Sequence, residues 1–465
     1  MSVQLLRSSR VWASTVTSGF NTSNTIEILV QDDLSFSQDS NSTDITVNEA
    51  GPRPTRGSKR FNDSLNPAEW SFSTYILPYL DETDNLVKVP DYLLWQGLAS
   101  GSPLDFSAEH GVHANGTNMM VDFADNAYHE LSMINLYILM DKVWYQIKDC
   151  QIGQAEINVD IDDIGLVAWS GNGTQLVALD AAPFDVNALG MTDAFYARLQ
   201  GSYLKNKLTI LKMRDMDTNK SYDIPITGGT FTINNNITYL TPNTLSRVDI
   251  PIGSFTGAFE MTGSLSAYMN DKVLGSAELY DDLVKTLKAT NRFEIAMILG
   301  GEYIQERPAA VIVAKQAHVN VPSIETDDVL GTSVEFKAIP TELDSGDEGY
   351  IAFGPKLTKD LIANIIANGD AEDDTPPQVP VASVSLTPES AKGAAGATIQ
   401  LTADILPVNS SNKNVAYVSS NTNVATVDAT GKVTIKPTAT VGQKANITVT
   451  TVDGSFSDTS EITVE

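Results

Sequence analysis

Apolar and polar positions alternate with period two through much of the chain. Trp70-Ser71-Phe72-Ser73-Thr74-Tyr75 and Thr230-Phe231-Thr232-Ile233 set large apolar groups on one side and hydroxyls on the other, which predicts strands with one buried face. Ile295 to Gly301 is a short unbroken apolar run, the length of a buried strand and far below the roughly 18 residues that span a bilayer. One helix stands out: Ser276 as its cap, Glu278 near its positive end, and Leu279, Leu283 and Leu287 at every fourth position. A second helix is expected from Pro90 to Leu98. Asn172-Gly173 between alternating runs predicts a hairpin turn.

The pattern repeats. Gln154-Ala155-Glu156-Ile157-Asn158-Val159 is echoed by Gln316-Ala317-His318-Val319-Asn320-Val321, and Glu130-Leu131-Ser132-Met133 by Glu294-Ile295-Ala296-Met297, at offsets of 162 and 164 residues. Ser71 to Tyr75 matches Ser264 to Tyr268 at offset 193, which places an insertion in the first copy between about Asp91 and Tyr128. Each copy is expected to be a β-sandwich or barrel of about 150–180 residues with one packed helix.

The clearest boundary is Asn368 to Pro380, whose four acids and three prolines neither pack nor continue a helix and read as an extended linker. Beyond it come short alternating strands: Val384 to Thr387, Ile399 to Ala403, Val433 to Ile435 and Ile447 to Thr450. Val384-Ser385-Leu386-Thr387-Pro388, Pro407, Ser419-Ser420-Asn421, Val424-Ala425-Thr426-Val427-Asp428 and Gly431-Lys432-Val433 resemble the bacterial Ig-like group 2 domain. Tyr417 stands where members commonly carry Trp. The expected organisation is residues 1–180 and 181–367 as duplicated β-domains, 368–380 as linker and 381–465 as the Ig-like sandwich.

Composition narrows the chemistry. The 465 residues hold 58 Asp and Glu against 30 Lys and Arg, a formal charge of −28. A field of that sign repels phosphate, which argues against general nucleic-acid binding and against docking on anionic membranes. The linker and the C-terminal part account for little of it, leaving −22 on the duplicated region. One cysteine, Cys150, excludes an internal disulfide and a thiolate metal cluster, and the N-terminus lacks the apolar core of a secretory signal. A soluble multidomain protein of a reducing compartment is expected.

Several motifs approach catalytic or metal-binding patterns and fall short. His129-Glu130-Leu131-Ser132-Met133 has Met133 where a zincin needs its second histidine, and is read as part of a strand. Asp160-Ile161-Asp162-Asp163-Ile164-Gly165 lacks the terminal Glu of a calcium loop and is read as a strand-end turn. His110-Gly111-Val112-His113 offers two ligands without a third. No catalytic set, cofactor site or metal site is expected. What stands out is a basic cluster, Arg53-Pro54-Thr55-Arg56-Gly57-Ser58-Lys59-Arg60, within a polar segment from about Gln38 to Asn66. Long polar loops of this kind are mobile or functional. Arg53, Arg56, Lys59 and Arg60 are candidates for an arm that pairs with carboxylates of a neighbouring copy, the alternative being a solvated loop.

Ile28-Leu29-Val30-Gln31-Asp32-Asp33, the run from Ser40 to Asp63 and Ile226 to Asn236 resemble the tail tube (major tail) proteins of Tequintavirus-type long-tailed siphophages, over residues 1 to about 350. The resemblance implies a structural, non-enzymatic protein that assembles in the host cytoplasm and resides in the virion tail. Two fused copies imply trimeric, pseudo-hexameric rings stacked into a tube, each tube domain adding strands to an inner β-barrel. Implied partners are other copies of the chain, tape measure protein and viral DNA in the lumen without specific binding, and the tail terminator and baseplate or tip proteins. The Ig-like domain would decorate the exterior with weak host-surface contact. Lumen-facing carboxylates would keep DNA from sticking. A secreted or surface bacterial adhesin is the alternative, and a glycan hydrolase using an Asp/Glu pair comes third.

Overall fold

The computed structural model describes residues 9–46, 57–124, 130–199, 202–222, 224–242, 245, 248–285, 291–300, 309–326, 329–343, 345–354, 381–407, 410 and 412–465. Contacts divide the chain into two compact units, Met1–Gly369 and Asp370–Glu465.

The larger unit opens with strands β1 (Ser9–Ser14), β2 (Thr25–Ile28) and β3 (Ser35–Ser37). An arm of β4 (Ser40–Ile45) and β5 (Lys59–Leu65) follows, then β6 (Ala68–Tyr75) and a small hairpin of β7 (Tyr79–Asp81) and β8 (Leu86–Lys88). Helix α1 (Tyr92–Ala99) precedes a hairpin of β9 (Gly111–Asn115) and β10 (Asn118–Asp122). Next come β11 (Ile134–Met140), the long β12 (Val143–Asn158), β13 (Leu166–Gly173) and β14 (Gln175–Leu179). Short helices α2 (Val186–Leu189) and α3 (Asp193–Leu199) lead into β15 (Ile210–Asp215), β16 (Ser221–Tyr222) and β17 (Ile226–Asn234). A second arm is made by β18 (Thr238–Leu240) and β19 (Gly253–Phe255). The unit continues with β20 (Glu260–Tyr268), α4 (Ser276–Lys285), β21 (Phe293–Leu299), β22 (Ala309–Val319), β23 (Ser323–Thr326), β24 (Leu330–Ala338) and β25 (Gly349–Gly354).

One strand plan occurs twice in this order. β1 pairs with β2 and β11, β11 with β12, and β12 with β14. β15 likewise pairs with β16 and β21, β21 with β22, and β22 with β25. β3–β6–β13 corresponds to β17–β20–β24, with an arm after β3 and β17 and a helix after β6 and β20. Residue matches differ from the sequence echo. Counting through the ladders from Ser71 and Ser264, Ile157 lies opposite Val167, and its counterpart opposite Thr332 is Ile324. The Gln154 and Gln316 runs are therefore five residues out of step, because pairing and burial decide register and a short string similarity does not.

β12 serves both layers. Its first half pairs with β11 and β14, its second with β13 and β17, and a bulge between Ile152 and Gln154 turns it from one sheet to the other. The inserted hairpin of the first half pairs β10 with β25, Met119 opposite Phe353, so it clamps the second half. One apolar core runs through both halves, with Ala13, Trp95, Ile157, Trp169, Phe231, Leu265 and Ile312 among its members. Each large side chain so buried contributes about 1.5–3 kcal/mol.

The expected strands at residues 70–75, 230–233 and 295–299 form as β6, β17 and β21, and β21 is buried at every position. Helix α1 is buried from Leu93 to Ala99, with the Trp95 ring edge-on to Trp169 at 4.8 Å. In α4, Ser276 ties down a loop instead of capping: its Oγ accepts from Asn270 N and donates to Tyr268 O. Leu287 lies outside the described residues. Asn172-Gly173 is not a hairpin turn. It ends β13, where the chain leaves one sheet for the other, and a Cβ at Gly173 would stand 2.6 Å from Ile147 and 2.8 Å from the Lys148 carbonyl. Glu130 to Met133 precede β11 instead of lying in a strand, and His129 is outside the described residues. Asp160 to Gly165 join β12 to β13.

The smaller unit is a β-sandwich. β26 (Ser383–Thr387), β27 (Ser390–Gly393), β28 (Thr398–Gln400), β29 (Thr402–Leu406) and β30 (Val415–Ser419) are followed by β31 (Ala425–Val427), β32 (Lys432–Ile435), β33 (Lys444–Thr451) and β34 (Ser457–Val464). One sheet runs β27-β34-β33-β30 and another β28-β32-β31. Leu386, Leu401, Val433, Ile447 and Ile462 fill the space between them. The Tyr417 ring packs over Gly431, which has φ +81° and leaves no room for a Cβ. No helix among the described residues is long and apolar enough to cross a membrane.

Candidate assembly surface

The surface that distinguishes the larger unit begins with the alternation of Ser, Thr, Asn and Gln opposite buried apolar residues. Strands β3-β6-β13-β12-β17-β20-β24 form one ladder, in which the end of β22 and then β23 take the eighth place. The two halves join in the middle, where β12 meets β17 with Gln154 opposite Asn234 and Asn158 opposite Thr230. One face of this sheet enters the core. The other is mainly polar, with Leu166 and Ala168 as its apolar positions.

Rows across the polar face follow from the register. Ser35, Ser71, Ser170, Gln154, Asn234 and Glu260 form one row. Ser73, Ala168, Glu156, Thr232, Thr262 and Lys337 form the next, then Tyr75, Leu166, Asn158, Thr230, Ser264 and Glu335. A shorter row holds Ser37, Glu69 and Asn172. Each row thus carries a single carboxylate among residues that are mostly hydroxyls and amides. Glu156 lies between the Gln154 and Asn158 amides at 3.5 and 3.4 Å, and Asn320 donates to Glu335 at 3.3 Å. Lys337 is the cation of these rows, and its ammonium sits 2.5 Å from Glu260, whose carboxyl is held below its ordinary range mainly by that hydrogen bond. The four rows hold Glu69, Glu156, Glu260 and Glu335 against Lys337, so the face carries net negative charge.

Both ends of the ladder are open among the described residues. β3 pairs with β6 alone and β23 with β24 alone. At the internal joint Ile157 is 1% exposed, whereas its counterpart Ile324 on β23 is 46% exposed, with Val321 and Val329 exposed nearby. An edge strand bearing apolar side chains is a site for pairing with another strand.

The expected basic loop is an ordered hairpin where it is described. β4 and β5 pair from Ser40 with Leu65 to Ile45 with Lys59, although nearly every side chain is exposed. Arg60 makes a two-pronged contact with Asp44 of the same hairpin, at 2.7 and 2.9 Å, so its carboxylate partner lies in its own arm. Lys59 is exposed, and Arg53 and Arg56 lie outside the described residues. The second arm, missed in the sequence, is anchored where the Tyr239 hydroxyl donates to the Asn172 carbonyl at 2.6 Å and accepts from Gln151 N. Leu240, Ile252 and Phe255 are exposed on it. His110 and His113 both approach Asp122, and no group of three such residues among the described ones is placed to hold a metal.

A mainly β chain with this duplicated plan and polar-faced sheet belongs to the phage tail tube proteins: residues 106–338 match the family model described as phage tail tube protein. The chain is 61% identical over 455 residues to the tail tube protein pb6 of Escherichia phage T5, covering 98% of this chain and 97% of that one. Residues 380–462 match the bacterial Ig-like domain (group 2).

Proposed function

We propose that this chain is the structural repeat of a virion tail tube, without enzymatic activity, and that it polymerises into stacked trimeric rings enclosing a conduit for viral DNA. The observation that carries the reading is the continuous sheet with one face in the core, the other mainly hydroxylated and amidated, and both edges open among the described residues. Residues 1–180 and 181–367 act as two tube domains, so that three chains give pseudo-sixfold symmetry; the twice-used strand plan supports this. The polar face lines the lumen, where tape measure protein and DNA pass without specific binding. The tail terminator and baseplate or tip proteins cap the ends, and assembly takes place in the host cytoplasm. The Ig-like domain, 381–465, follows the acidic linker 368–380, decorates the exterior and makes weak host-surface contact.

The first arm reaches the adjacent ring. Because Arg60 is engaged with Asp44, inter-ring pairing falls to Arg53, Arg56 and Lys59. Arg53→Ala with Arg56→Ala is expected to lower the salt resistance of stacked rings. Electron microscopy of the purified chain tests the whole reading: rings or hollow tubes are expected, and isolated elongated monomers would favour an adhesin instead.

A further inference from the structure

In the smaller unit two strands of opposite sheets leave a groove between their open edges. We propose that this groove binds an extended peptide segment of a partner protein, which joins the sheet as a strand beside Ala403 and Ile405. The groove belongs to the smaller unit alone and is independent of the proposed tube.

The gap follows from where the strands stop. Residues 398–406 change neighbour part way along: β28 pairs with β32, and β29 pairs with β26. β32 starts at Lys432, opposite Gln400, and Leu401 N still reaches Gly431 O. Before Gly431 the chain turns back through Asp428 to β31, so among the described residues no strand lies on the far side of β29 from β26. In the other sheet β30 pairs with β33 alone. The result is a cavity of about 630 Å³ with Ala403, Ile405, Lys413, Val415, Tyr417 and Thr430 among its walls. Ligand sites span about 300–1,000 Å³.

Main-chain groups name the occupant. Leu386, opposite Ala403, gives its N–H to the Asp458 carboxylate and not to β29, while Leu401 gives its own to Gly431. Peptide groups alternate along a strand, so those of Ala403 and Ile405 point away from β26 into the groove, with no partner among the described residues. On β30, Val452 N donates to Asn414 O and Ser420 N to Asn446 O, which leaves the peptide groups of Val415 and Tyr417 as the open ones. Unpaired N–H and C=O groups at strand spacing are a template for another main chain. Tyr417 is no platform for a sugar ring, because its ring already packs over Gly431.

The side chains define what the peptide carries. Ala403, Ile405, Val415 and Tyr417 are partly buried and pack on the core of Leu401, Val433 and Ile447. A strand beside β29 sets every second side chain on this floor, so apolar residues are required at alternate positions. Asp404 on the β29 wall and Lys413 on the β30 wall are exposed and have no ion-pair partner among the described residues. A basic and an acidic residue at the two ends of the peptide complement them.

The test uses the full chain and the probe acetyl-Glu-Val-Thr-Val-Thr-Val-Lys-amide, with calorimetry for affinity and hydrogen exchange by mass spectrometry for location. Saturable binding is expected, with new protection at residues 402–406. The same peptide N-methylated at two valines loses two main-chain hydrogen bonds and is expected to bind about tenfold more weakly. Lys413→Glu, an exposed change that leaves the core alone, is expected to weaken binding of the unmethylated probe. No saturable binding, equal affinity for the two peptides, or protection confined to other residues overturns the proposal. Protection of residues 402–406 that appears on concentrating the chain without peptide assigns the groove to a second copy and also overturns it.

Discussion

Ile157 and Phe231 face each other across the ladder that joins the two halves of the larger unit, and each is 1% exposed. Two strand plans that share such a pair are held as one core. Ile157→Ala is expected to cost about 2–5 kcal/mol through lost burial and the cavity left behind. Ile324→Ala, at the equivalent place on the open edge, is expected to stay within about 0.5 kcal/mol in the unassembled chain. Denaturant midpoints of the two variants check the contrast, and equal effects would contradict it.

Asp91 is a buried carboxyl at the start of α1. It accepts from Thr74 Oγ1 at 2.7 Å, and Thr74 in turn accepts from Trp169 Nε1 at 2.9 Å. Burial pushes its pKa up to about 6 from 3.8, against these hydrogen bonds. A raised folded-state value means that its contribution to stability is full below about pH 3.8 and is lost as pH rises through about 6. Asp91→Asn is therefore expected to match the natural chain near pH 4 and to exceed it by about 3 kcal/mol above pH 7, at about 1.36 kcal/mol per pKa unit. A difference between the two that stays flat with pH would contradict the assignment.

Glu260 neutralises Lys337 on the face assigned to the lumen. Glu260→Gln leaves an ammonium facing passing DNA, where it can displace counterions from phosphate. Tubes of this variant are expected to retain duplex DNA at low salt and release it at high salt, as read by fluorescence anisotropy. Glu260→Gln with Lys337→Gln should restore non-binding; retention unchanged by either variant would sink the idea.

Local patterns were legible where one face is buried. β6 and β17 alternate because their apolar side enters the core, and β21 is apolar at every position but Glu294 because it is buried along its whole length. The Ig-like motifs are likewise local to their strands and turns. The first arm has the sequence of a loop because β4 and β5 bury almost nothing, so no alternation marks them. The crossing at Gly173 looks like a turn because a glycine needed for close approach carries the same letter as one needed for a tight bend. Clamping of the second half by β10 is a pairing between residues far apart in the chain, for which a single sequence has no signal. The open edges were hidden for a related reason: Ile324 looks like any strand isoleucine until the register reveals that its counterpart is buried.

In the proposed tube, copies of this chain assemble with the hydroxylated face turned inward. A cryo-electron microscopy map of the assembled protein tests it most directly. Ser71, Glu156, Thr232 and Ser264 are expected to line a continuous lumen. A tube wall with those residues on its outer surface would contradict it.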